Sequence, residues 1–147
     1  MIDLKTILIV EDNPQDVELT IEALSEYNLA NLVVAVGDGV EAMDYLNCKG
    51  KFSDRLKGDP AVILLDIKMP KMDGIEVLTT IKSDPKLKTI PVVMLTSSCE
   101  EPDLKKCYEL GVNAYVVKPV NFNDFLYAVK QIGVFWAMLN EHPTFTK

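Results

Sequence analysis

Histidine is all but missing from this sequence of 147 residues: His142, near the end, is the only one. That argues against histidine-based acid–base catalysis and against zinc sites built on imidazole. Cysteine is scarce too. Cys48, Cys99 and Cys107 form no CxxC pair and no even set, so a disulfide framework or zinc ribbon is not on offer. They read as reduced thiols of a cytosolic protein. Long apolar runs are missing: the longest, such as Gly133–Leu139, fall far short of the ~18 residues of a membrane span. Met1-Ile2-Asp3-Leu4-Lys5 lacks the charge-then-apolar pattern of a secretory leader. Positive charge is in deficit, with 15 Lys plus Arg against 22 Asp plus Glu and a net charge of −7. Such a chain repels nucleic-acid phosphates and anionic membrane surfaces.

What is present is an ordinary globular composition, 48% apolar and 25% charged. The length suits one domain, expected to have a core over about residues 4–133, a last helix to about 140 and a short tail, 141–147. Apolar runs at Thr6–Val10, Leu32–Val36, Ala61–Leu65, Pro91–Leu95 and Ala114–Val117 read as strands. Between them lie helical segments with start signals. Asn13 caps and Pro14 opens the first, with Val17, Ile21 and Leu24 at helical spacing to about Glu26. Asp38-x-x-Glu41 resembles a capping box, and Val40, Met43 and Leu46 are expected to line one face of the second. Asp73-x-x-Glu76 opens the third, to about Ser83; a short fourth runs over about Glu101–Leu110 to Gly111; Asn121 caps the last. Residues Cys48–Pro60 are polar and are expected to be an exposed loop. Continuous apolar runs suit strands covered on both faces. Strict βα alternation then predicts an α/β fold, a flavodoxin-like doubly wound parallel sheet of order 2-1-3-4-5.

In such a sheet ligands bind beyond the carboxyl ends of the strands, at the switch point between the first and third. Those ends carry Glu11-Asp12, Asp66, Thr96 and Lys118. Three carboxylates converging on one place raise each other's pKa unless a cation offsets them. Oxygen ligands without imidazole or thiolate favour Mg2+ or Mn2+ over zinc. Lys118 adds a positive point charge and Thr96 a hydroxyl. Together these groups suit phosphoryl transfer to a carboxylate nucleophile, Asp66.

The combination Ile7-Leu8-Ile9-Val10-Glu11-Asp12-Asn13, Leu64-Leu65-Asp66-Ile67-Lys68-Met69-Pro70, Asp73-Gly74, Val93-Met94-Leu95-Thr96-Ser97 and Tyr115-Val116-Val117-Lys118-Pro119 closely resembles response-regulator receiver domains of two-component signalling. The resemblance implies that Asp66 accepts phosphate from a partner histidine kinase. It implies that Asp12 and Asp66 ligate Mg2+ directly, Glu11 through water, and Lys68 through its backbone carbonyl. Thr96 and Tyr115 would form a switch pair, Lys118 would bind the phosphoryl group, and Lys118–Pro119 would be cis. Asp12-Asn13-Pro14-Gln15-Asp16-Val17-Glu18, the enlarged Cys48–Pro60 loop, Ile81-Lys82-Ser83-Asp84-Pro85 and Phe135-Trp136 look like the small stand-alone regulators of phytochrome-type histidine kinases. Lys68, two residues after Asp66, departs from many receivers.

Two other functions compete. A haloacid-dehalogenase-like phosphohydrolase also forms an aspartyl phosphate, but needs an acid where Lys68 stands. A receiver-like scaffold without phosphorylation would carry a vestigial site. Gly37-Asp38-Gly39-Val40-Glu41-Ala42 matches a dinucleotide fingerprint, yet its acids would face a pyrophosphate, and a capped tight turn explains it. Cys99 reads as an inert loop thiol. The chain ends at Lys147, so output is expected through contact, relay or dimerisation. The last helix, about 20 residues over Asn121–Asn140, would span roughly 30 Å, against strands near 17 Å. It should overhang the sheet and carry Phe135, Trp136 and Leu139 into a homodimer interface.

Overall fold

The computed structural model describes residues 6–25, 33–55, 58–69, 71–97 and 102–131. It contains strands β1 (Ile7–Val10), β2 (Val33–Val36), β3 (Val62–Asp66), β4 (Val92–Thr96) and β5 (Ala114–Val117). Helices α1 (Pro14–Ser25), α2 (Gly39–Asn47), α3 (Gly74–Ser83), α4 (Pro102–Glu109) and α5 (Phe122–Gln131) alternate with them. The strands pair in parallel in the order β2-β1-β3-β4-β5, as expected from the sequence.

Every residue of β1, β3 and β4 is buried, which is why those segments are apolar without alternation. Successive side chains feed opposite faces. Ile7, Ile9, Leu64 and Leu95 pack with Leu24 of α1 and Phe125 of α5. Leu8, Val10, Leu65 and Met94 pack with Ala42 of α2, Leu78 of α3 and Cys107 of α4. Among the described residues, no helix is long and apolar enough to cross a membrane.

The helix starts act as expected, with one difference. Asn121 Oδ1 accepts from the Asp124 amide at 2.9 Å. At α3 the capping box is complete: Asp73 Oδ1 accepts from the Glu76 amide and Glu76 Oε1 from the Asp73 amide, both at 2.9 Å. At α2, Asp38 caps Glu41, but Glu41 reaches past the cap to the Gly37 amide at 2.6 Å. The fingerprint-like glycines are thus spent on structure. A Cβ on Gly39 would collide with the Met72 carbonyl oxygen and lie 2.6 Å from Val77 Cγ2.

Two expectations are corrected. Val40 does not line the inner face of α2; it is 48% exposed, and Gly39, Ala42, Tyr45 and Leu46 are buried instead. The close seating of Gly39 on the β3–α3 loop turns the helix so that Val40 points outward. Nor is the stretch from Cys48 to Pro60 plain exposed loop. It holds a 3-10 turn, Gly50–Phe52, and the Arg55 guanidinium lies 3.9 Å from the Tyr45 ring centroid while its Nε donates to the Tyr45 carbonyl. Cation–π contact and hydrogen bonding cover this end of α2. The continuation of the last helix to about residue 140, with Phe135, Trp136 and Leu139, and the loop position of Cys99 lie outside the described residues.

The turn after β3 positions the residues beyond Asp66. Gly74 N donates to the Ile67 carbonyl at 2.8 Å, folding the loop back on the strand end. A Cβ there would overlap the Asp66 carbonyl oxygen and sit 2.9 Å from Ile67 Cα. Both obstacles are backbone and cannot swing aside. Gly74→Ala should therefore lower stability by roughly 2 kcal/mol, an overpacking cost, and weaken metal binding. Urea denaturation and calorimetric metal titration check this; unchanged values would mean the turn relaxes freely.

Candidate functional site

The carboxyl ends of β1, β3, β4 and β5 open on a cleft of about 200 Å3. Glu11, Asp12, Asp66, Lys68 and Lys118 line it, joined by Asp16 and Ser97. A larger cavity, about 370 Å3, lies elsewhere, among Leu46, Asn47, Asp59 and Lys86. It has no converging carboxylates, so the chemistry belongs to the smaller cleft.

Glu11, Asp12 and Asp66 each place a carboxylate oxygen within 4.8 Å of the others. Glu11 is 3% and Asp66 5% exposed; Asp12 faces solvent. Lys118 Nζ reaches across from the end of β5. It lies 3.1 Å from Glu11 Oε1, 3.0 Å from Asp16 Oδ2 and 3.3 Å from Asp66 Oδ1. The Lys118–Pro119 bond is cis, as the family resemblance implied.

The electrostatics follow from burial and crowding. Glu11 is pushed up to about 7, first by desolvation and then by the Asp66 charge, against the opposing pull of the Asn13 amide and Lys118. Burial also raises Asp66, while Lys118 and a hydrogen bond from Glu11 hold it down. Without a cation, the cleft therefore resists holding both carboxylates ionised near neutrality. Burial works against charge on Lys118, but its bonds to Asp16 and Glu11 and the field of Asp66 outweigh that and raise its pKa. Four carboxylates around one ammonium leave excess negative charge in a half-enclosed cleft. Oxygen donors only, close enough to share one ion, fit Mg2+, with Mn2+ as the alternative occupant.

Among the described residues, the structure brings together all of the expected site residues except two; Phe135, Trp136 and Leu139 lie outside the described residues. Thr96 ends β4 but is 1% exposed and sits beneath the cleft rather than in its lining, where its neighbour Ser97 appears. Tyr115 is on β5 with its ring edge-on to Tyr108, centroids 6.2 Å apart, and 36% exposed. Since Tyr115 pairs with Met94 and Thr96 with Val117, Thr96 and Tyr115 share one face of the sheet as diagonal neighbours. Sequence reasoning missed Asp16. Its only local signal is an acid at the third position of a capped helix, which ordinarily reads as helix-end chemistry.

The comparisons with known proteins agree with this geometry. Residues 7–130 match the family described as Response regulator receiver domain. Response regulator Rcp1 of Synechocystis sp. is 42% identical over 132 residues, 90% of this chain and 88% of that protein. A structure of Rcp1 in its Mn2+-bound form superposes with a TM-score of 0.72, covering 90% of this chain and 94% of that one. The bacteriophytochrome response regulator AtBRR is 61% identical with a TM-score of 0.86, over 94% of this chain and 99% of that one. The phosphorylated cyanobacterial phytochrome response regulator RcpA is 45% identical with a TM-score of 0.75, over 92% of this chain and 95% of that one. A parallel sheet of this order, an acidic cleft at its switch point and a family match spanning nearly the whole described fold lead to one conclusion: the chain belongs to the response regulator receiver family.

Proposed function

We propose that this protein is a single-domain response regulator that takes a phosphoryl group onto Asp66 from a phytochrome-type histidine kinase. The observation that carries the proposal is Asp66 itself, a nearly buried carboxylate with Lys118 Nζ 3.3 Å from its Oδ1 and two further carboxylates at hand. In the transfer, an Asp66 oxygen forms a bond to phosphorus, the phosphorus–nitrogen bond of the phosphohistidine breaks, and the imidazole leaves with the electron pair. Mg2+, the cofactor of receiver sites, offsets the negative charge of the carboxylates and phosphoryl oxygens when bound. Asp12 and Asp66 are its direct protein ligands in this reading, with the Lys68 carbonyl; Glu11 acts through water. Lys118 keeps its charge at neutral pH and turns its ammonium toward a phosphoryl oxygen. Similarity to phytochrome response regulators supports the choice of kinase class.

Receivers are signalling proteins rather than enzymes, which sets the phosphohydrolase alternative aside. The scaffold alternative leaves unexplained why Glu11, Asp12, Asp66 and Lys118 meet in one cleft. The experiment is Mg2+-dependent labelling by acetyl phosphate and by an autophosphorylated phytochrome-type kinase, followed by mapping of the labelled peptide. Label on Asp66 from both donors is expected; label elsewhere, or none, overturns the proposal.

Signal output is assigned to the pair Thr96 and Tyr115. Phosphoryl oxygens draw the buried Thr96 hydroxyl toward the cleft, and Tyr115 moves off Tyr108 into the space vacated. Thr96→Ala should still be labelled on Asp66 but lose the change in Tyr115 ring resonances that beryllofluoride, a phosphoryl mimic, induces in the wild type. A wild-type response in the variant would place the coupling elsewhere. The proposed homodimer rests on sequence alone, through Phe135, Trp136 and Leu139. Trp136→Ala should shift the protein toward monomer in analytical ultracentrifugation with Asp66 labelling intact. Wild-type protein that sediments as monomer at tens of micromolar, with and without phosphoryl donor, would count against it.

A further inference from the structure

At each of the first three helices an acid stands three residues after the N-cap, and only at α1 is it turned away from the backbone. Glu76 bonds back to its cap and Glu41 to the residue before its cap. At α1 that position is Asp16, yet the cap amide it would accept, Asn13 N, donates instead to Glu11 Oε2 at 3.1 Å. The Asp16 backbone is held at both ends: its amide donates to Asn13 Oδ1 at 3.4 Å and its carbonyl accepts from the Thr20 hydroxyl at 2.8 Å. The carboxylate is left to face the cleft, where Oδ2 lies 3.0 Å from Lys118 Nζ. That is closer than the 3.3 Å from the same nitrogen to Asp66 Oδ1.

We infer that Asp16 is a positioning residue that competes with the phosphoryl group for Lys118 and so limits how strongly Asp66 is phosphorylated; the inference rests on Asp66 being the acceptor. Lys118 Nζ already has three carboxylate partners. A phosphoryl group arriving on Asp66 must draw the ammonium toward its own oxygens and away from Asp16. The Asp16 charge, in the same cleft, also repels the phosphoryl dianion directly. Both effects have the same sign, and both oppose phosphoryl occupancy. For a cation the sign is reversed: Asp16 adds to the negative field that attracts Mg2+ and partly neutralises the Lys118 ammonium that repels it. One carboxylate therefore favours the metal and disfavours the phosphoryl group.

Opposed effects of this kind are not what a loss of structure produces. Asp16→Asn keeps the side-chain shape and removes the charge. Mg2+ affinity, measured by calorimetry without phosphoryl mimic, should weaken about three- to tenfold, the water-screened end of what Coulomb's law gives for a divalent ion near a unit charge. Beryllofluoride affinity at saturating Mg2+, followed by fluorine NMR, should tighten by a similar factor, and acetyl phosphate should label the variant faster than wild type. Asp16→Glu, which restores the charge, should return both constants toward wild type. Shifts in the same direction, or no shift in either constant, overturn the inference. Wild-type protein that acetyl phosphate never labels on Asp66 would instead sink the proposed function on which it depends.

Discussion

Asp66→Asn is expected to abolish labelling by acetyl phosphate and at the same time to make the metal-free protein more stable. The amide nitrogen and oxygen of asparagine cannot supply the anionic nucleophile, so labelling should fall to background. Stability moves the other way because Asp66 is a cost in the resting protein. Its charge is buried, it raises Glu11, and Asp12 opposes it in turn. Replacing it with a neutral group of the same shape removes that repulsion, while Lys118 keeps Glu11 and Asp16 as partners. Roughly 1–2 kcal/mol of added stability at pH 8 in EDTA is the expected gain, a size usual where active-site strain is relieved. Saturating Mg2+ should then reverse the order of merit. A ligand at a hundred times its Kd stabilises by about 2.7 kcal/mol, and wild type binds with a ligand that the variant lacks. Urea denaturation of both proteins with and without Mg2+ decides the matter. A variant less stable than wild type in EDTA would mean that Asp66 is held by favourable contacts that outweigh the crowding.

How much of this could be read without coordinates depended on the range of the interactions. Sheet order and the location of the site were legible because each strand announces itself: an unbroken apolar run, then a polar residue where the strand leaves the core. Asp66 and Thr96 prove to be the last residues of β3 and β4, and Glu11 directly follows β1. Helix starts at Asp73 and Asn121 were legible because capping is a contact between residues three apart. The face of α2 was not. Its spacing pointed to Val40, but the helix is oriented by Gly39 against Met72 and Val77, a contact with a different βα unit. Arg55 was hidden because its charge reads as solvated loop until Tyr45, 10 residues back on α2, is seen beneath it. Asp16 is the clearest case. Its partner Lys118 lies 102 residues away, and its own neighbourhood suggests only a helix cap. Thr96 was recognised by position, yet its burial below the cleft, with Ser97 in the lining, needed the packing of β4 against β5.

Metal-free protein should lose stability as pH rises from 5 to 8, and Mg2+ should remove most of that slope. Glu11 has an ordinary pKa of 4.5 in the unfolded chain and about 7 in the folded site. The folded state therefore binds its proton more tightly. That extra stability is complete below about pH 4.5 and is lost as pH rises through about 7. A difference of some 2.5 pKa units is worth about 3 kcal/mol in full, of which 2–3 kcal/mol falls between pH 5 and pH 8. Asp66, also raised, adds in the same direction. Four other shifted groups stay out of the window. Asp38 and Glu41 are lowered, so their contribution is lost only as pH falls below the ordinary carboxylate range. Lys118 and Tyr108 are raised and titrate above it. Mg2+ binds the ionised carboxylates, so it stabilises more at pH 8 than at pH 5 and levels the profile. Urea midpoints across this range, in EDTA and in Mg2+, give the answer, and Glu11→Gln should take most of the EDTA slope with it. A flat or rising EDTA profile, or one that Glu11→Gln leaves untouched, would show that Glu11 is ionised throughout and that the cleft tolerates its charge without a cation.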